Sequence, residues 1–308
     1  MNRFIRLRLL AMLLCLPFLL IFISGCGSSS QKKDEPPVYS PLQVLVPEAT
    51  GKETLGSSPM ILDVSNISQG YFIAQSDSSD LTCSLQIITP SGVLYSYFIA
   101  PGESATITFT EGSGDYTITG YQQVQGDQYA ALYSETVTVQ LENDFLPFLY
   151  PNQYVNFTPD SKASQLALSM IDEDTVDVDA LQQIYDYVVS NLTYDYEKAD
   201  TVTTGYLPDI DETLKTGTGI CFDYAALTTA MLRSCDIPCK LQIGYAGDIK
   251  HAWIDVYIRS KGWVNQAVSF KGDTWTLMDP TFDSNSDDKE AIQDYIGDES
   301  NYTVQFTR

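Results

Sequence analysis

The residue best suited to covalent chemistry in this chain is a cysteine that follows a glycine-rich turn. Thr216-Gly217-Thr218-Gly219-Ile220-Cys221 leads into a run from Phe222 to Cys235 in which Leu227, Ala230, Met231 and Cys235 share one helical face, and Asp236-Ile237-Pro238 ends it. This spacing predicts a helix with Cys221 at its N-terminus. The helix dipole and the unpaired N–H groups there favour a thiolate and offer donors to an oxyanion. Asp223 is close in sequence. Residues two apart point to different faces of a helix, so Asp223 is expected to serve the first turn rather than the thiol. The chain has one histidine, His251, at the head of the strand-like run His251–Ile258, whose alternate positions Ala252, Ile254, Val256 and Ile258 are apolar. A further strand-like run, Trp275 to Asp279, stops at Pro280. A thiol, an imidazole base and a carboxylate that orients the imidazole are the parts that acyl transfer through a thioester requires.

Those three residues need a scaffold. Lys240 to Tyr245 reads as a strand joined through a Gly247-Asp248 turn to the His251 strand, and Lys261-Gly262 as a turn before Trp263. Upstream, Thr158-Pro159 reads as a helix start, with the helix running to about Ile171. Asp177 reads as the cap of a second helix, with Leu181, Ile184, Tyr185, Val188, Val189 and Leu192 forming its core stripe. From Ile61 to Leu141 the texture changes to short alternating runs such as Thr106–Thr110 and Thr136–Gln140, punctuated by Pro90-Ser91-Gly92, Pro101-Gly102 and Gly112-Ser113-Gly114. Six to eight such runs predict an antiparallel, immunoglobulin-like β-sandwich. It carries no catalytic constellation; Asp115 and Asp127 stand beside turn glycines, where aspartate is expected for backbone reasons.

Composition narrows the functional classes. Among 308 residues, 17 are Lys or Arg and 40 are Asp or Glu, a formal charge of -23. A surface this acidic repels phosphate backbones and argues against nucleic-acid binding. One histidine rules out a multi-histidine metal site within one subunit. Met1 to Arg8 is basic and Leu9 to Ile23 is apolar, too short to span a bilayer but suited to a signal-peptide core. That run ends in Ile23-Ser24-Gly25-Cys26, which is similar to the lipobox of bacterial lipoproteins; the likeness implies cleavage before Cys26 and a diacylglyceryl thioether on it. The expected organisation is a lipoprotein signal and lipidated Cys26 over 1–26, a flexible tether over 27–58, the β-sandwich over 59–145 and the catalytic domain over 146–308. Four other cysteines would stay in the mature chain. Cys235 and Cys239 are read as small buried apolar residues rather than a bridge or ligand pair, and four scattered cysteines, Cys83 and Cys221 among them, do not form a disulfide framework.

The stretch GICFDYAALTTAMLRSCDIPCKLQIGYAG, followed by HAWIDVYI and WTLMDPTF, resembles the bacterial transglutaminase-like superfamily. The family's GxC motif falls on Gly219 and Cys221, HAW on His251 to Trp253, and DPT on Asp279 to Thr281. The resemblance implies an α+β protein with a papain-like core preceded by the β-sandwich. It also implies a Cys221–His251–Asp279 triad that acts on an amide of a peptide or protein, with water or an amine as acceptor. The segment 261–273 is longer than the family pattern. The competing reading is a surface lipoprotein that binds a peptide in the same cleft without turnover. No cofactor or metal is expected. Asp283-Ser284-Asn285-Ser286-Asp287 has the spacing of a calcium loop, but Asp288 stands where glycine is needed and Asp294 where the bidentate glutamate belongs.

Overall fold

The structure is a computed structural model. It describes residues 34–265, the strand residues 268–271 and 274–277, and residues 302–308. Cys26, Asp279 and the 283–294 loop lie outside the described residues. Among the described residues no helix is long and apolar enough to cross a membrane.

The first part is built from eight strands: β1 (Thr54–Ser57), β2 (Met60–Asp63), β3 (Tyr71–Ser76), β4 (Cys83–Ile88), β5 (Leu94–Ile99), β6 (Ser104–Thr108), β7 (Gly114–Gln125) and β8 (Gln128–Val139). They form two four-stranded antiparallel sheets, β1-β2-β3-β6 and β5-β4-β7-β8. Strand alternation sends one side of each sheet inward. Met60, Leu62, Phe72 and Ile107 from the first sheet meet Leu85, Ile87, Ile99, Ile118 and Val137 from the second in one buried cluster. These inward positions are the apolar members of the period-two runs in the sequence.

The second part holds α1 (Lys162–Met170), α2 (Asp177–Asn191), β9 (Thr193–Tyr194), α3 (Tyr196–Thr201), α4 (Ile210–Thr216), β10 (Thr218–Gly219), α5 (Cys221–Ser234), β11 (Cys239–Ala246) and β12 (Ile249–Ile258). They are followed by β13 (Gly262–Val264), β14 (Val268–Lys271), β15 (Thr274–Leu277) and β16 (Tyr302–Thr307). One sheet runs β13-β12-β11-β16, and β14 and β15 pair with each other. Helix α5 is buried on every side from Asp223 to Ser234. It packs with α1, α2 and the Leu241, Ile254, Val256 and Ile258 face of the sheet in a second cluster. The expected stripe of α2 is buried at Leu181, Ile184, Tyr185 and Val188.

Two expected helix starts differ. Residues 158–161 form a turn, with Ser161 N–H bonded to the Thr158 carbonyl at 3.1 Å, and α1 begins at Lys162. Its first N–H groups are capped by a residue remote in sequence: Asp211 accepts from Lys162 N at 3.0 Å and from Ala163 N at 3.1 Å. Asp177 does not cap α2. Its carboxylate instead holds Arg259, through the backbone N at 2.8 Å and Nη1 at 2.5 Å.

Residues 27–58, expected as a flexible tether, are held at several points of their described part, although 48–54 are exposed. Pro36 and Pro37 are buried, Leu42 and Val44 lie against the α5 cluster, and residues 54–57 are strand β1. Asp236 holds this segment: Oδ2 accepts from Tyr39 N at 3.1 Å and from Arg259 Nη2 at 3.1 Å, and Arg259 Nη2 also reaches the Pro37 carbonyl at 3.3 Å. Burial raises the Asp236 carboxyl to about 7, with Tyr39 N–H and Arg259 pulling the other way and Asp177 adding to the rise. A carboxyl whose folded value is raised stabilises the fold fully below its ordinary value and loses that contribution as pH rises toward 7. Asparagine is neutral throughout and tolerates the left-handed φ of 64° at this position. Asp236→Asn is therefore expected to flatten the fall in Tm between pH 4 and pH 7. Thermal scans of both proteins across that range check this, and parallel profiles would contradict it.

Candidate active site

Cys221 is the first residue of α5, as the spacing predicts. Four free cysteines are described: Cys83, Cys235 and Cys239 are buried and Cys221 is half-buried. Burial pushes the thiols of Cys235 and Cys239 up to about 12, so both stay neutral and inert. Among the described cysteines, Cys221 is thus the one that is both accessible and at a helix start.

The chain before Cys221 is fixed by a short parallel pairing of β10 with β9. Thr193 N bonds to the Gly217 carbonyl at 2.8 Å and Asp195 N to the Gly219 carbonyl at 2.9 Å. Gly217 ends α4 in the left-handed conformation, φ 64°. Gly219 answers a different need, because a Cβ there would sit 2.7 Å from Cβ of Asp223. The missing side chain lets Asp223 fold back over the turn, where its Oδ2 accepts from Ile220 N at 2.8 Å. Asp223 therefore serves the first turn, as expected, and the glycine of the GxC motif makes room for it.

Asp223 is fully buried and has two further donors. Lys198 Nζ lies 2.7 Å from Oδ2, and the Tyr206 hydroxyl makes a short hydrogen bond to Oδ1. Lys198 Nζ also donates to the Tyr206 oxygen at 2.6 Å. Burial works against the Lys198 ammonium, but its bonds to Asp223 and Tyr206 outweigh this and raise it above the ordinary lysine value. Burial first, and then the bond to Asp223, raise the Tyr206 phenol to about 12, so it remains a donor at neutral pH. Phe222 lies between Tyr206 and Tyr154, with ring centroids 6.3 and 6.1 Å away. Lys198 and Tyr206 are functional candidates that the sequence reading missed. The one local signal was an aspartate three residues after the helix cap, a capping-box position.

His251 is buried on β12 opposite Gly244 of β11. Its ring stacks near Trp253 at 6.2 Å, on the strand face opposite to Ala252, Ile254, Val256 and Ile258. Only Cys235 to Pro238 joins α5 to β11, and the Gly247-Asp248 turn then starts β12, in which His251 is the third residue. Gly244 is also where β16 approaches most closely: a Cβ there would meet the Thr303 carbonyl oxygen at 1.9 Å. Among the described residues, no three His, Cys, Asp or Glu are grouped so as to hold a metal ion.

A model of the Transglutaminase-like superfamily matches residues 164–280. The match begins inside α1, takes in α5 and β12, and spans Cys221, His251 and Asp279. Solved structures similar to the chain include a candidate cysteine protease of Cytophaga hutchinsonii, 17% identical over 83% of this chain and 84% of that one, TM-score 0.37. The periplasmic domain of TgpA from Pseudomonas aeruginosa is 13% identical over 77% of this chain and 95% of that one, TM-score 0.33. A candidate protease of Parabacteroides distasonis is 14% identical over 66% of this chain and 41% of that one, TM-score 0.29. No curated protein matches the chain.

Proposed function

We propose that this chain is an extracytoplasmic, lipid-anchored cysteine enzyme that cleaves or transfers amide bonds of peptides or proteins, with Cys221, His251 and Asp279 as its triad. The observation that carries this reading is the half-buried Cys221 at the first position of α5, while the other described cysteines are buried. In the reaction, His251 takes the Cys221 proton, the thiolate sulfur attacks the amide carbon, and N–H groups of the first turn of α5 receive the developing oxyanion. The C–N bond then breaks as His251 gives the leaving amine a proton, and a thioester remains on Cys221. His251 next takes a proton from the acceptor as it attacks the thioester carbon; the C–S bond breaks, and the departing Cys221 sulfur recovers that proton from His251. Water yields a carboxylate and makes the enzyme a protease or amidase; an amine yields a new amide and makes it a transglutaminase. Asp279 holds the imidazole so that its other nitrogen faces the sulfur. Incubation with a peptide library in the presence and absence of a primary amine decides between the acceptors. Cleaved peptides alone mark a protease, amine-tagged peptides a transferase, and neither product a binding protein.

The anchor is proposed from Arg3, Arg6 and Arg8, the apolar run Leu9–Ile23 and Cys26. Metabolic labelling with a fatty-acid probe is expected to mark the protein, and Cys26→Ala to abolish the label. Equal labelling of the variant would rule the anchor out.

A further inference from the structure

We propose that Lys198 and Tyr206 are positioning residues for Cys221: acting through Asp223 they hold the start of α5 and offset the charge of that carboxylate, so that the thiol two residues away can ionise. This rests on the reading of Cys221 as the nucleophile.

The arrangement exceeds what a helix cap needs. A capping carboxylate has to accept from the backbone at the cap, and Asp223 does so through Ile220 N at 2.8 Å. Two extra donors reach it from the separate segment 196–206, and the chain is folded specifically to deliver them. Asp195 N is tied to the Gly219 carbonyl, the Asp195 side chain caps α3 by accepting from Lys198 N at 2.9 Å, and Lys198 then returns to Asp223 at 2.7 Å. This closes a ring of contacts around the turn that precedes Cys221. Lys198 Nζ also lies 4.5 Å from the centre of the Tyr206 ring. Ordering a lysine side chain costs rotamer entropy, so a cation fixed on a fully buried carboxylate beside a helix start calls for an electrostatic reason.

Asp223 without Lys198 would place an uncompensated negative charge in the first turn of α5, whose first residue is the thiol that must itself become negative, and a nearby like charge opposes ionisation. With Lys198 in place the pair is close to neutral, leaving the helix N-terminus free to favour the thiolate. Tyr206 stays protonated and occupies the remaining Asp223 oxygen. Among the described residues, the titratable side chains in contact with this turn or its neighbours include Lys198 and Tyr206 on Asp223, Asp195 capping α3, and Tyr154 against Phe222. Of these, Lys198 is the one cation fixed on Asp223.

The test is site-resolved alkylation of Cys221 by iodoacetamide across pH 5–10, read by peptide mass spectrometry on the full chain. Lys198→Met is expected to move the midpoint up by about one pH unit, a tenfold loss at acidic pH, because the carboxylate is left uncompensated. Asp223→Asn keeps the shape and an acceptor for Ile220 N–H but leaves the cation, so its midpoint is expected to move down. The double variant is expected to return toward the wild type, and Lys198→Arg to hold the wild-type midpoint. A brace that is only structural would loosen the site in both single variants and shift them in the same direction. Shifts of one sign, or none, overturn the proposal. If wild-type Cys221 reacts no more readily than an ordinary thiol while the two variants still move in opposite directions, it is the nucleophile reading that fails and the charge offset that stands.

Discussion

Arg233→Met is expected to lower global stability by about 2–5 kcal/mol, because it strips buried backbone oxygens of their donor. Arg233 lies near the end of α5 and is 1% exposed. Among the described residues it forms no ion pair with an Asp or Glu side chain. Its guanidinium instead donates to three carbonyls: Tyr150 at 2.8 Å through Nη1, Cys239 at 3.0 and 2.8 Å through Nε and Nη2, and Arg308 at 2.9 Å through Nη2. Burial lowers its value to about 10, so it remains charged at neutral pH. These carbonyls belong to the segment after the β-sheet region, the first residue of β11 and the residue after β16. Losing Arg233 would take this donor from the Tyr150 and Cys239 carbonyls, at about 1–3 kcal/mol for each group left unsatisfied, while the Arg308 oxygen keeps the Leu241 N–H. Lysine cannot span the three acceptors, so Arg233→Lys is expected to fall in between. Denaturant titration followed by near-ultraviolet dichroism measures this; a Met variant within about 1 kcal/mol of the wild type would contradict the account.

Arg308 shows how far this staple reaches. Its backbone pairs with Leu241 in both directions, at 2.8 and 2.9 Å. Its guanidinium lies 4.3 to 5.3 Å from the ring centres of Tyr95, Tyr97, Tyr154 and Phe306. One segment thus extends the α5-facing sheet while filling an aromatic cage on the β-sandwich. Nothing in the local sequence foretells this, because a cation in an aromatic cage leaves no periodicity along the chain.

The second large effect concerns turnover. Cys221→Ala and His251→Ala are each expected to lower amide cleavage or transfer by about 10³-fold or more, since triad members act as a unit and removing either abolishes the acyl-enzyme route. Neither variant is expected to change the fold. Cys221 is at a helix end, and His251 faces Gly244 rather than the α5 cluster. Rates on peptides found with the library check this, and a Cys221→Ala protein that still turns over would exclude the thioester route.

What could be read from the chain followed the range of the forces involved. Burial periodicity is local, so Cys221 at the head of α5, the β11–β12 hairpin, the α2 stripe and the alternating strands were all legible. Capping by a distant residue is not local. The Thr158-Pro159 signal misplaced the start of α1 because the cap comes from Asp211, and Asp177 resembled a cap while its carboxylate holds Arg259. The proline-rich segment read as a tether because no apolar period runs through it, yet Asp236 and Arg259 hold it by backbone bonds that need none. Lys198 and Tyr206 escaped notice for the same reason: their meaning lies in Asp223, 25 and 17 residues away.

The central claim, that Cys221 is a nucleophile served by His251, is tested most directly by the rate of Cys221 alkylation at pH 6 in the wild type and in His251→Ala. The account predicts that Cys221 is alkylated well ahead of Cys83, Cys235 and Cys239 at that pH, and that His251→Ala loses most of this reactivity, since the chain has no other histidine to substitute. Reactivity that appears only above pH ~8, as for an ordinary thiol, or that is unchanged in His251→Ala, would contradict it.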